Sequence, residues 1–229
     1  MDELKKIRRA LFSVGLTGHR PDKLNPLVAK ALPDALLDLL SFINKQLSDL
    51  NCSSASSGAA YYNPDICLRS GLAAGADLAA IEAANALQWK LHLLLPEKRE
   101  YFRSRLSASD CKKFDSAIRK ADSLAEITIF GDEALTAEPH AALGQMLLEN
   151  SNLLIAVWDG GPGRGKGGTA DIVSLAIERK IPVVWLNSNE LTTIQLLGYD
   201  ASINRSEREI PWNEALIHYL ETYVQSQTN

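Results

Sequence analysis

Apolar and polar positions along this chain switch repeatedly between a strand-like run and a helical period, which predicts alternating strands and helices. FSVGLTG (12–18) is an apolar run ending in glycine and reads as a buried strand. Asn25 then caps and Pro26 opens a helix to roughly Leu50, both residues being favoured at helix starts. After a Ser/Gly/Ala loop at 53–63, PDICLRSG (64–71) is a second strand and GADLAAIEAANALQW (75–89) an alanine-rich helix. KLHLLLP (90–96) is a third strand closed by proline, and the amphipathic stretch 97–121 is helical in parts. AEITIFG (125–131) reads as a short strand and EPHAALGQMLLENSN (138–152) as a helix. LLIAVWDGG is a strand from 153, TADIVSLAIERK (169–180) a helix and IPVVWLNS (181–188) a strand. A polar stretch at 189–210 precedes a last helix in PWNEALIHYLETYV (211–224).

Several of these strands are apolar throughout, as strands buried on both faces are. With intervening helices this predicts an α/β fold: one Rossmann-like, doubly wound, mostly parallel sheet flanked by helices, with right-handed crossovers. The expected organisation is a single domain over 1–229, its core at about 11–188 and a C-terminal helix at about 211–226.

Composition narrows the function classes. A length of 229 residues and a hydrophobic content of 46% support one large core. A net charge of −4 does not indicate a strongly basic surface, so no nucleic-acid partner is expected. No apolar run approaches the ~20 residues of a membrane span, and no membrane partner is expected. Charges before an apolar stretch at the N-terminus echo a signal peptide, but polar TGHRPDK follows at once and no cleavage site appears; residues 1–10 read as a helical lead-in. Three widely spaced cysteines imply free thiols, a cytoplasmic location and no metal site.

In an open parallel sheet, ligands bind beyond the carboxyl ends of the strands. Three ends are unusual: TGHRPDK (17–23), RSGLAAGAD (69–77) and DGGPGRGKGGTAD (159–171). The last two run into predicted helices, whose first N–H groups attract anions. Gly71, Gly75 and Ala76 would serve a phosphate in one loop, and Gly167, Gly168 and Thr169 in the other. Neither loop is a Walker A or GxGxxG motif. Asp77 and Asp171 either cap their helices or meet a ribose, and Asp159 is a strand-end carboxylate or a plain turn residue. Arg20 suits a phosphate, and His19 a hydrogen bond or proton transfer. Arg164 and Lys166 either close over an anion or are solvated, and His92, His140 and His218 read as structural. The tryptophans read as core, with Trp158 the exception because it adjoins Asp159.

VGLTGHR (14–20), SGLAAGAD (70–77), LLLPEKREYF (93–102) and LLIAVWDGGPGRGKGGTADIV (153–173) together resemble the SLOG superfamily, in particular its bacterial defence-associated nucleotide-sensing subgroup. The resemblance spans about 11–188 and implies a pocket for a nucleotide or nucleotide-derived signal, with no cofactor. It implies ligand contacts from Thr17, Gly18, His19 and Arg20, from Ser70, Gly71, Leu72, Gly75, Ala76 and Asp77, and from Asp159, Gly160, Gly167, Gly168, Thr169 and Asp171. In the family's LOG phosphoribohydrolases the related loop reads PGGxGTxxE and its Glu is catalytic. Here that position is Ile172, which favours binding over cleavage of an N-glycosidic bond. A carboxylate nucleophile, as in the similar nucleoside deoxyribosyltransferases, would have to come from Asp159, Asp77 or Glu82. A sensor of this kind would need an effector protein as partner, act by oligomerising, or sequester its ligand, and self-association into a homo-oligomer is expected. The segment 189–210 is expected to lid the pocket.

Overall fold

Leu153 to Val157 are five consecutive buried residues, and their side chains divide between two cores. Leu153, Ile155 and Val157 enter one; Leu154 and Ala156 enter the other. A strand can do this only with helices on both faces of its sheet. The computed structural model describes residues 11–56, 65–126, 138–163, 167–199 and 210–228. The chain runs β1 (Leu11–Gly18), a 3-10 turn (Pro21–Lys23), α1 (Pro26–Ser56), β2 (Asp65–Ser70), α2 (Ala76–Ala86), β3 (Lys90–Leu95), α3 (Arg99–Ser104) and α4 (Ala108–Lys120). It continues through β4 (Ser123–Glu126), α5 (Glu138–Glu149), β5 (Leu153–Trp158), α6 (Thr169–Glu178), β6 (Val183–Asn187), β7 (Ile194–Leu197) and α7 (Trp212–Thr228).

The seven strands form one sheet in the order β4-β3-β2-β1-β5-β6-β7, a doubly wound Rossmann-like α/β fold. Every neighbouring pair is parallel except β6 and β7. The larger core joins β1 and β3 to α1, α2 and α7 through Phe12, Leu36, Ile81, Leu93 and Leu220. The smaller core packs Leu147 and Leu148 of α5 and Val173 and Ala176 of α6 on the other face. Each buried Val, Leu, Ile or Phe side chain among these contributes about 1.5–3 kcal/mol relative to exposure. No helix among the described residues is long and apolar enough to cross a membrane.

Local chemistry explains where the elements start. The Asn25 side chain accepts from Val28 N–H at 2.9 Å, the expected cap of α1. That helix runs six residues past the expected end at Leu50, because Asn and Ser cost a helix only a fraction of a kcal/mol each. The fourth strand begins at Ser123 rather than at 125. Asp122 sets its start: its side chain accepts from Leu91 N–H at 2.9 Å and its own N–H donates to Leu91 at 2.9 Å. β7 lies inside the stretch expected to be a polar lid. A tight turn, with Thr193 N–H donating to Glu190 at 2.9 Å, folds it back on β6 as an edge strand. Residues 1–10, 57–63, 127–131, Arg164, Lys166 and 200–209, all given readings from the sequence, lie outside the described residues.

Candidate functional site

The chain winds outward from β1 to β4, then returns to place β5 on the other side of β1. A crevice opens at the carboxyl ends of these two strands, where the winding reverses. The end of β1 is held there by backbone contacts. His19 N–H donates to Val157 at 2.9 Å, and the His19 carbonyl accepts from Ala76 N–H at 3.2 Å. The first amide of α2 is therefore spent on the tip of β1. Glycine permits this approach: Gly75 sits at φ +94°, and a Cβ there would lie 2.6 Å from the His19 carbonyl oxygen.

Asp77, one residue into α2, is buried and turned back on the loop before it. Its carboxylate accepts from Ala73 N–H at 3.2 Å, with Gly71 and the Ser70 hydroxyl beside it. Burial pushes its pKa up to about 7, against these donors and the nearby charge of Arg20. Leu72, between these residues, is fully buried and held at φ +61°. It anchors the loop in the core at some backbone strain.

The glycine-rich loop approaches from the opposite side. Asp171 accepts from Gly167 N–H at 3.0 Å, closing the end of the loop onto α6. Gly167, at φ +82°, is pressed against α5, where a Cβ would lie 2.5 Å from Ala141 N. Gly168 at the N-cap supplies no capping side chain, and the Thr169 and Ala170 amides have no acceptor among the described residues. The Thr169 and Thr17 hydroxyls stand 3.5 Å apart across the crevice.

Asp159, at the end of β5, accepts from Gly161 N–H at 2.9 Å and places Oδ1 3.4 Å from His19 Nε2. The His19 side chain is only 3% exposed, and its Nδ1 has no hydrogen-bond partner among the described residues. Burial holds the His19 pKa below its ordinary value, with Asp159 opposing. Trp158 lies beneath this turn, its indole donating to Gly161 at 2.9 Å, and Trp185 donates to the Trp158 carbonyl at 2.8 Å. This tryptophan supports the loop rather than lining the crevice.

The crevice encloses a cavity of about 480 Å³, within the usual range for small-molecule sites. Thr17, Gly18, His19, Arg20, Gly71, Asp77, Gly167, Gly168 and Thr169 line it, so residues from all three expected loops converge. Ser70, Leu72, Gly75, Ala76, Asp159, Gly160 and Asp171 are not part of the lining; they pack, brace or cap the loops that are. The remaining wall comes from residues not singled out from the sequence as ligand contacts: Leu16 on β1, Asp22 and Lys23 after it, Ala73 before α2, Pro96 and Phe102 after β3, His140, Leu143 and Leu147 on α5, and Ile172. Only LLLPEKREYF carried a signal for any of the α3 side; nothing in its periodicity points α5 into the crevice. The described part of 189–210, residues 189–199 and 210, does not line the cavity.

No protein-family model matches the chain, and no curated protein matches it. Among solved structures it is similar to DNA processing protein A from Helicobacter pylori, at 15% identity and a TM-score of 0.50, covering 96% of this chain and 83% of that one. Its counterpart from Streptococcus pneumoniae is similar at 15% identity and 0.48, over 96% of this chain. The chain spans 58% of the length of that protein. The molybdenum cofactor carrier protein from Chlamydomonas reinhardtii is similar at 20% identity and 0.40, each chain being covered over 76%. The likeness to the Helicobacter pylori protein shows a shared fold. It also corrects one expectation. The Helicobacter pylori structure describes a single-stranded DNA binding mode, so this fold is compatible with nucleic acid and the exclusion does not stand. The exclusion rested on net charge, which reports nothing about where the charges lie.

Proposed function

We infer that this chain, with its SLOG-type Rossmann-like fold, is a binding module for a nucleotide or nucleotide-derived signalling ligand. The observation that carries the reading is the cavity at the β1–β5 crossing, into which the uncapped start of α6 and Arg20 both open. A phosphate at Gly168 and Thr169 receives the free amides and the positive end of the α6 dipole, without a Cβ at 168 in its way. Arg20 supplies a second set of donors. Pro96, Phe102, Leu143 and Leu147 form an apolar wall suited to a base. The same proposal includes a single domain over 1–229, a cytoplasmic location, self-association, an effector protein as partner, and a role in the defence-associated subgroup.

A second reading, cleavage of a nucleotide's N-glycosidic bond, draws on Asp77, a cavity carboxylate with a pKa near neutrality. Two features count against it. Asp77 already receives donors from its own loop, and Ile172 is apolar where the LOG Glu stands.

The test is thermal stability against nucleotides, cyclic dinucleotides, NAD, cyclic ADP-ribose and a short single-stranded oligonucleotide, with product analysis of each hit. A ligand at a hundredfold excess over Kd adds about 2.7 kcal/mol. Stabilisation by an intact nucleotide, lost in Arg20→Ala and Gly168→Val, supports the sensor. Recovery of free base supports the second reading. Stabilisation by the oligonucleotide alone overturns both.

A further inference from the structure

We propose that His19 selects the ligand, its Nδ1 accepting a hydrogen bond from an N–H or O–H group of a nucleoside 5′-phosphate; the inference rests on the nucleotide reading above. His19 lines the cavity, its side chain is only 3% exposed, and Nδ1 has no partner among the described residues. Buried polar atoms are nearly always paired, and an orphan on a residue that lines a cavity points to a partner that arrives with a ligand.

The tautomer follows from the neighbours. Burial lowers the pKa of His19, so at neutral pH the ring carries one proton. Nε2 faces the Asp159 carboxylate at 3.4 Å. An unprotonated Nε2 would set its lone pair against the carboxylate oxygens, so the proton sits there. Nδ1 is then an acceptor only. The other charges near the ring are Asp22 and Lys23, from the turn after β1. Asp77 of α2 and His140 of α5 share the cavity. A phosphate oxygen at Nδ1 would meet lone pair with lone pair. The anionic end is therefore directed to Arg20 and the start of α6, and a donor-bearing end to His19. That donor is either a ribose hydroxyl or an exocyclic amine.

The test titrates AMP, 2′-deoxy-AMP, 3′-deoxy-AMP and purine riboside 5′-monophosphate, which lacks the amine, by calorimetry. One analogue is expected to bind the unsubstituted protein about tenfold more weakly than AMP, and its identity names the donor. His19→Gln, which offers no acceptor at the Nδ1 position, should bind AMP about tenfold more weakly and lose that discrimination. His19→Asn, whose oxygen takes the place of Nδ1, should keep it. Ring-nitrogen NMR of the unsubstituted protein needs no variant to fold: it should show Nε2 protonated, Nδ1 bare, and a shift of Nδ1 on AMP binding. A proton on Nδ1, or equal binding of all the ligands, overturns the role of His19 and leaves the nucleotide reading intact. No binding of any of them, with the oligonucleotide alone stabilising, overturns the nucleotide reading itself.

Discussion

A methyl group on Gly75 has nowhere to go: it would meet the His19 carbonyl oxygen at 2.6 Å, on a backbone already at φ +94°. Gly160, at φ +80°, is the control, because there the nearest atom is 3.4 Å away on Trp185. Gly160→Ala should lose about 1–2 kcal/mol, the cost of the left-handed backbone alone. Gly75→Ala should lose about 3 kcal/mol or more, since β1 or α2 must shift as well. Urea midpoints at constant slope give both values, and equal losses would show that the close approach costs nothing. Asp77 makes a prediction of opposite character. Its folded pKa, about 7, lies above its ordinary 3.8, so the fold holds this proton more tightly than the unfolded chain. Its stabilising contribution is full below about pH 4, falls as pH rises to about 7, and is flat beyond. Asp77→Asn removes the titration. The stability of the unsubstituted protein relative to the variant should therefore fall across that window by on the order of a few kcal/mol. A pH-independent difference would sink the assignment. At this scale the sequence announced that backbones approach closely at its glycines. It did not say that for Gly75 and Gly167 the approaching group is the protein's own chain, because the partners lie in segments far along the sequence.

Asp171 governs how the glycine-rich loop meets its helix. Asp171→Ala frees Gly167 N–H and removes an acidic group from the first turn of α6, at an expected cost of about 1 kcal/mol. Unfolding midpoints check the value; an unchanged midpoint would mean that Gly168 and Thr169 hold the junction without it. Legibility differed from element to element. β1, β5 and α6 were readable because unbroken apolar runs and helical spacing are strong signals, and the loops that follow β1 and precede α6 supply His19, Arg20, Gly167 and Gly168 to the cavity. β7 was not, since its four residues are only half-buried at best and sit in a polar stretch. α5 was readable as a helix but not as a wall: Leu143 and Leu147 have the same spacing whether they face a core or a crevice. His140, read as structural because the histidines show no metal-ligand spacing, lines the cavity too.

Over the whole molecule, apolar strands alternating with helices foretold a parallel, doubly wound sheet. The strand order required more, because periodicity does not say at which strand the chain reverses. The site depends on that reversal, since its two sides come from the segments that follow β1 and β5, strands paired through Val14 with Leu153. During synthesis this pairing has a cost in time. A nascent chain that has laid β2, β3 and β4 beside β1 still lacks the strand that covers the other edge of β1. At typical elongation rates, the interval between completing β2 and completing β5 is on the order of ten seconds. Throughout it, Phe12, Val14 and Leu16 belong to a strand with a bare row of amides and carbonyls, the template on which foreign strands pair. The central strand of the finished protein is thus an edge strand of its growing intermediate. It is there that a chaperone would find its grip on this chain and that aggregation during synthesis would begin.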